Sequence, residues 1–254
     1  MLKRRFDIIC SSLCEKGDVR EVNQDAVLVR YGEVAGHTAG LFVVADGCGG
    51  LSHGDSISRM ITERCEELWD EQMESFVRNP SEKSIRASVL ERIDDINEAA
   101  RDYGKQKGSR VGSTMSLLLL IGRRYYIFHV GDSRIYLHRR KKSLRLTEDQ
   151  TFLEDRLRNR EMTVEEAMDF RGKNPLTMCV GYFDPVRVFT SSGTARRNDI
   201  FLMCSDGFYN GIGGAFFGKV FPSGVTEDSA FFLRRMIPEN QAGDNVSIII
   251  FQLK

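Results

Sequence analysis

The sequence has no paired cysteines, no long apolar run and no net charge, and each absence narrows what it can be. Its 254 residues carry 36 Lys and Arg against 36 Asp and Glu. Global charge therefore gives no pull toward nucleic acid or a membrane surface. Six cysteines (Cys10, Cys14, Cys48, Cys65, Cys179 and Cys204) are scattered without a CxxC spacing, which argues against a zinc site. Cys48, Cys65 and Cys204 fall in segments that read as buried or helical with no evident partner, so no disulfide is expected. No run of about 18 apolar residues occurs that could span a membrane. Asp7 cuts short the apolar stretch after Met1-Leu2-Lys3-Arg4-Arg5, too soon for a signal-peptide core. A cytoplasmic protein is the simplest expectation. No Pro/Ser-rich linker, low-complexity tract or internal repeat divides the chain.

What is present alternates between strand and helix patterns. Phe6 to Cys14, Asp25 to Arg30 and Leu41 to Ala45 read as strands. From Asp55 to Phe76, Ile57, Met60, Ile61, Cys65, Leu68 and Trp69 recur at three- and four-residue steps, one apolar face of a helix. Asn79-Pro80 breaks the chain, and Ser81 with Ser84 can cap a second helix reaching Tyr103. Its stripe is Ile85, Val89, Ile93, Ile96 and Ala100. Ser116 to Ile121, Tyr125 to Val130 and Arg134 to His138 follow as antiparallel strands joined by glycine turns, with Leu144 to Leu146 continuing the meander. The basic run Arg139-Arg140-Lys141-Lys142 sits at a hairpin end and reads as a solvated turn. Thr163 can cap a helix over Val164 to Phe170. Val186 to Ser191, Ile200 to Cys204 and Val246 to Gln252 read as strands. Gly211, Gly213, Gly214 and Gly218 mark a loose connection, and Ser229 to Ile237 a short helix.

Aspartates stand at the ends of several apolar runs. They occur in Asn23-Gln24-Asp25, Val43-Val44-Ala45-Asp46-Gly47, Met203-Cys204-Ser205-Asp206-Gly207 and Gly243-Asp244-Asn245. A carboxylate at the mouth of a buried strand loses hydration, and several together repel unless a cation neutralises them. Gly47 lets the backbone turn sharply, so that its carbonyl can aim where Asp46 aims. An all-oxygen set favours Mg2+ or Mn2+ over zinc. Any single Asp-Gly pair reads first as a hairpin turn; the combination, in fixed order, is harder to explain that way. Arg20 reads equally as a surface arginine or a phosphate ligand.

The chain resembles the metal-dependent protein serine/threonine phosphatases of type 2C, the PPM family, in their bacterial form. The resemblance rests on Val19-Arg20-Glu21-Val22-Asn23-Gln24-Asp25, Val44-Ala45-Asp46-Gly47-Cys48-Gly49-Gly50, Gly112-Ser113-Thr114-Met115, His129-Val130-Gly131-Asp132-Ser133-Arg134, Leu146-Thr147-Glu148-Asp149-Gln150-Thr151, Ser205-Asp206-Gly207-Phe208 and Gly243-Asp244-Asn245-Val246-Ser247. It implies an α+β fold, a four-layer α-β-β-α sandwich with two central antiparallel sheets flanked by helices. It implies one domain over residues 1–254 with a variable flap at about 151–181. Asp46 would bridge two Mg2+ or Mn2+ ions with the Gly47 carbonyl on the second. Asp206 and Asp244 would complete the first, and Asp25 would sit close by. Asp132, with Asp206, is placed to hold a third. Arg20 would face the substrate phosphate, gripping two oxygens with its planar fork.

The implied activity is hydrolysis of phosphoserine and phosphothreonine on proteins by a metal-activated water, with no phosphoenzyme. The implied partners are phosphorylated proteins and a Ser/Thr kinase whose action the enzyme reverses, with no nucleic acid or membrane, and a monomer is expected. A competing reading is a catalytically weak module that binds phosphoproteins or a kinase. Gln24 and Cys48 depart from the better-known eukaryotic members, which have a carboxylate and a histidine there. His53 reads as a surface histidine at a helix entry or a substitute acid, His129 as a packed core residue, and Cys48 as a small buried filler or a redox sensor.

Overall fold

The strands follow the apolar runs, and their register decides what meets at the sheet ends. The computed structural model describes residues 5–48, 51–213, 220–221, 224–238 and 241–254. Met1 to Arg4, Gly49, Gly50, Gly214 and Gly218 lie outside the described residues. In chain order the elements are β1 (Ile8–Glu15), β2 (Asp25–Val34), β3 (His37–Asp46), α1 (Gly54–Arg78), α2 (Glu82–Lys107), β4 (Met115–Ile121), β5 (Arg124–Val130), β6 (Arg134–Arg139), β7 (Lys142–Arg145), α3 (Phe152–Arg158), α4 (Val164–Asp169), β8 (Phe189–Thr194), β9 (Ile200–Cys204), α5 (Asp206–Ile212), α6 (Ser229–Arg234) and β10 (Val246–Leu253).

Two five-stranded antiparallel sheets result, ordered β1-β10-β9-β6-β7 and β2-β3-β4-β5-β8. Apolar side chains on both faces of β3, β4 and β10 are buried, which requires a layer on each side. Ile57, Ile61, Cys65 and Leu68 of α1 and Ile85, Val89, Ile93 and Ile96 of α2 cover one face of the second sheet. Phe42, Ile127, Phe201 and Phe251 fill the space between the sheets. Phe42 and Phe251 stack with ring centroids 4.0 Å apart, and each buried ring contributes on the order of 2 kcal/mol. Phe208 and Ile212 of α5 and Leu233 of α6 cover the outer face of the first sheet. This is the expected α-β-β-α sandwich.

Local signals placed most elements. Ser81 caps α2 by accepting from the Ser84 N–H at 3.4 Å. Thr163 and Glu166 exchange both bonds of a capping box at α4. Arg140 and Lys141 occupy a tight β6–β7 turn with φ of 51° and 64°, so the basic run is a turn. Several elements differ from expectation: β2 runs on to Val34 and β3 starts at His37, α3 is an added helix, and β8 and α5 depart as well. β8 runs from Phe189 rather than Val186, because the Arg187 carbonyl accepts from Gln150 Nε2 at 2.8 Å and not from β5. It continues through Ser192-Gly193, a turn-like pair, because Gly193 lacks the Cβ that would overlap the Tyr125 ring. The stretch after Cys204, read as a loose connection, begins with α5.

Candidate functional site

The β2–β3 register pairs Asp25 with Asp46, at the end of one sheet. In the other sheet β9 ends at Cys204, opposite Ile248 of β10, so the residues just beyond, Asp206 and Asp244, flank the adjoining strand ends. Asp132 lies in the β5–β6 turn after Gly131, whose φ is 106°, a backbone that suits glycine. The five carboxylates drawn from distant segments feel one another. Burial holds Asp46 well above the ordinary carboxylate range, and Asp25, Asp206, Asp132 and Asp244 push it further. Asp25 is raised to about 7, first by burial and then, against two hydroxyl donors, by Asp206 and Asp244. Asp132 is likewise raised to about 7 by burial, Asp206 and Asp149. Asp206 is raised by burial and by Asp244, while a hydrogen bond with Asp46 works the other way.

Supporting groups fix this cluster. Ser247 Oγ donates to Asp25 Oδ2 at 2.7 Å, and the Ser247 N–H is in turn held by Ser205 Oγ at 2.9 Å. Asp25 Oδ1 is buried with no partner among the described residues, an arrangement that normally costs a desolvation penalty. The Asp46 N–H donates to Thr114 Oγ1 at 3.0 Å, which itself bonds Ser133 Oγ at 2.8 Å. Tyr209 of α5 donates its hydroxyl to the Asp132 carbonyl at 3.2 Å. The Arg134 guanidinium lies 3.7 Å from the Tyr209 ring centroid and grips Asp149 with Nε and Nη2.

Gly47 does its work by leaving space, which corrects the expectation of a sharp turn. Its φ is not left-handed, but a Cβ there would come within 2.6 Å of both the Gln24 carbonyl oxygen and the Gly54 carbonyl carbon. Its N–H donates to the Gln24 carbonyl at 3.1 Å. A regular antiparallel pair would return a bond from the Gln24 N–H to Gly47. That N–H instead donates to Asn245 Oδ1 at 2.9 Å, so the Gly47 carbonyl is left without its ladder partner. Asn245 Nδ2 also holds the carbonyls of Lys16 and Val22, each at 3.0 Å, and so pins the loop that carries Arg20. Arg20 is exposed, and its Nη2 donates to Asp244 Oδ2 at 2.8 Å.

The donor chemistry fits hard divalent cations: clustered carboxylates with raised proton affinity, an orphaned carboxylate oxygen and a freed backbone carbonyl. As they stand, no three His, Cys, Asp or Glu side chains among the described residues close into a ready ligand set. Of the two histidines in question, His53 is an exposed residue at the start of α1, its ring edge-on to Tyr103. His129 is fully buried between Ser116 Oγ at 2.8 Å and the Gly131 carbonyl at 3.0 Å, and burial lowers it to about 4. It is a packed core residue. Sequence reasoning gave no roles to Ser205, Ser247, Thr114 or Tyr209. The cysteine expectation needs one correction. All six are free, but Cys48 does have a neighbour, Cys179, whose hydrogen bond pushes its thiol well up, with burial adding to the effect.

Comparison with known proteins finds relatives along nearly the whole chain. Protein phosphatase PhpP of Streptococcus pneumoniae is 28% identical over 248 residues, 96% of each chain. A serine/threonine phosphatase, Stp, of Listeria monocytogenes is 31% identical over 170 residues, 67% of each chain. The solved serine/threonine phosphatase of S. agalactiae superposes with a TM-score of 0.83 at 25% identity, covering 98% of this chain and all of the other. The catalytic domain of the serine/threonine protein phosphatase PstP, solved in complex with two manganese ions, superposes with a TM-score of 0.76 at 23% identity over 98% of this chain and 99% of that one. The family model for protein phosphatase 2C matches residues 18–231, and the chain belongs to that family.

Proposed function

We propose that this protein is a Mg2+- or Mn2+-dependent phosphatase that removes phosphate from phosphoserine and phosphothreonine in proteins, opposing a Ser/Thr kinase. The observation that carries the metal dependence is Asp25 Oδ1, buried without a partner among the described residues and set among carboxylates that raise one another's proton affinity. Asp46, Asp206, Asp244 and the Gly47 carbonyl would hold two cations, with Asp25 close by; Asp132 and Asp206 would hold a third. Cations there supply Lewis acidity toward the phosphate and lower the pKa of water at the site. The family membership, and the two manganese ions of the PstP complex, support that reading.

The chain's own residues do the rest. Arg20 stands at the rim, where its fork can orient phosphate oxygens. Ser247, itself held by Ser205, keeps the Asp25 carboxylate oriented, and Thr114 holds the strand end that bears Asp46. No cysteine or serine nucleophile is needed, so no phosphoenzyme forms. We read residues 1–254 as one catalytic unit, with residues 151–181 as the segment that varies substrate choice. The test is phosphate release from phosphoserine and phosphothreonine peptides after chelation with EDTA. Release should stop and return with Mn2+ or Mg2+; release that survives complete chelation would rule the reading out.

A further inference from the structure

Two thiols from distant parts of the chain rest on the same bare patch of backbone beside Asp46. A Cβ on Gly112 would lie 2.9 Å from Cys179 Sγ and 3.4 Å from Cys48 Sγ. Glycine at this position is what lets both sulphurs approach one point. The backbone holds them in register: the Cys48 N–H donates to the Gly112 carbonyl at 3.0 Å, and Ser113 bridges to both Gly47 and Val180. Cys48 is partly exposed, whereas Cys179 is only 4% exposed. One sulphur can thus meet a small solute while the other waits behind it.

We propose that Cys48 and Cys179 form an oxidation site at which a hydroperoxide joins them in a disulfide. The Cys48 sulphur attacks the O–O bond, takes one oxygen as a sulfenic acid and releases the other as water or an alcohol. The Cys179 sulphur then displaces the bound oxygen as a second water, and the S–S bond forms. Two electrons and two thiol protons pass to the peroxide, so the step balances. The bond would tie the end of β3, two residues from Asp46, to the end of the 151–181 segment. Drawing Cys48 toward Cys179 displaces the Gly47 carbonyl beside it and lowers activity until a dithiol reverses the link. The remaining cysteines serve as internal controls, since Cys65 and Cys204 are buried. Cys14 lies beside Asn23 and Ser247 rather than another cysteine.

The full chain, held in chelator, is exposed to hydrogen peroxide for hours, because a half-buried thiol reacts slowly. It is then alkylated under denaturing conditions, digested and read by mass spectrometry. The expected product is a Cys48-Cys179 linked peptide, absent from Cys179→Ser and Cys48→Ala. After return of Mn2+, dithiothreitol should restore wild-type phosphatase activity at least fivefold and leave oxidised Cys179→Ser unrecovered, its Cys48 carried to the sulfinic acid. No linked peptide, a link through Cys14 instead, or equal recovery in Cys179→Ser would overturn the proposal. The effect on activity rests on the phosphatase reading, but the link is read by mass. Its absence counts against this inference alone, and an unoxidised protein inactive with every metal counts against the function alone.

Discussion

Arg20 Nη2 donates to Asp244 Oδ2 at 2.8 Å, so the residue assigned to substrate phosphate touches one assigned to metal. Both side chains are partly exposed, at 43% and 38%, so the pair adds little to stability. Its value is positional: the guanidinium is held at the rim of the carboxylate cluster. A charge-assisted bond to phosphate is worth about 1.5–3 kcal/mol. Arg20→Ala should therefore raise KM for an aryl phosphate by roughly 10- to 100-fold, while Arg20→Lys keeps the charge but not the fork and falls between. Steady-state kinetics on the three proteins, with thermal melts to show equal folding, would check this. An unchanged KM in Arg20→Ala would place the phosphate elsewhere.

Asp46 receives the repulsion of four other carboxylates, which makes its charge costly in the folded chain unless a cation answers it. Asp46→Asn should leave the circular dichroism spectrum unchanged. Turnover of an aryl phosphate should fall by about a thousandfold or more, on the order of 4 kcal/mol of barrier. The same variant should lose most of the rise in Tm that Mn2+ gives the wild type. Near-normal turnover would remove Asp46 from the metal centre.

The raised carboxyls also set a pH dependence that metal should reverse. Asp25 and Asp132 titrate at about 7 in the folded protein, against an ordinary 3.8. Between those values the folded chain binds more protons than the unfolded one, so stability falls as pH rises through the window. In EDTA, Tm should drop by at least about 4 °C between pH 5.5 and 7.5. Saturating Mn2+ should replace the protons and invert the slope, because metal competes best once the carboxyls are ionised. A flat or rising Tm in EDTA would mean the carboxylates do not interact as placed.

The features legible in the sequence were those with a local cause. Asp25, Asp46, Asp206 and Asp244 stood out because a carboxylate ending an apolar run needs an explanation wherever it lies. The stripes of α1 and α2 showed their buried faces, and Ser81 and Thr163 announced their helices. What stayed hidden depends on register between strands far apart in the chain. Ser247 reaches Asp25 only because β10 of one sheet passes the start of β2 in the other, and nothing in the serine itself marks it. Gln150 ends the pairing of β8 through a side-chain bond to Arg187, invisible to any periodicity. The start of α5 was masked by Gly207 and Gly211, which read as loop. Cys48 found its neighbour only because Gly112 left room.

Ser247 is therefore a useful test of positioning as distinct from ligation. Its Oγ donates to Asp25 Oδ2 and lies 3.3 Å from Cys14 Sγ, while its N–H is held by Ser205 Oγ at 2.9 Å. Groups that orient a ligand typically matter by 10- to 100-fold in metal affinity or activity. Ser247→Ala should raise the Mn2+ concentration needed for half-maximal activity by about tenfold, with smaller loss of kcat at saturating metal, and Ser247→Thr, which keeps the hydroxyl, should recover part of it. A merely structural serine would lower Tm without moving the metal requirement. Mn2+ titrations of activity and of Tm on the same variants separate the two, and an unshifted titration in Ser247→Ala would remove Ser247 from the positioning of Asp25.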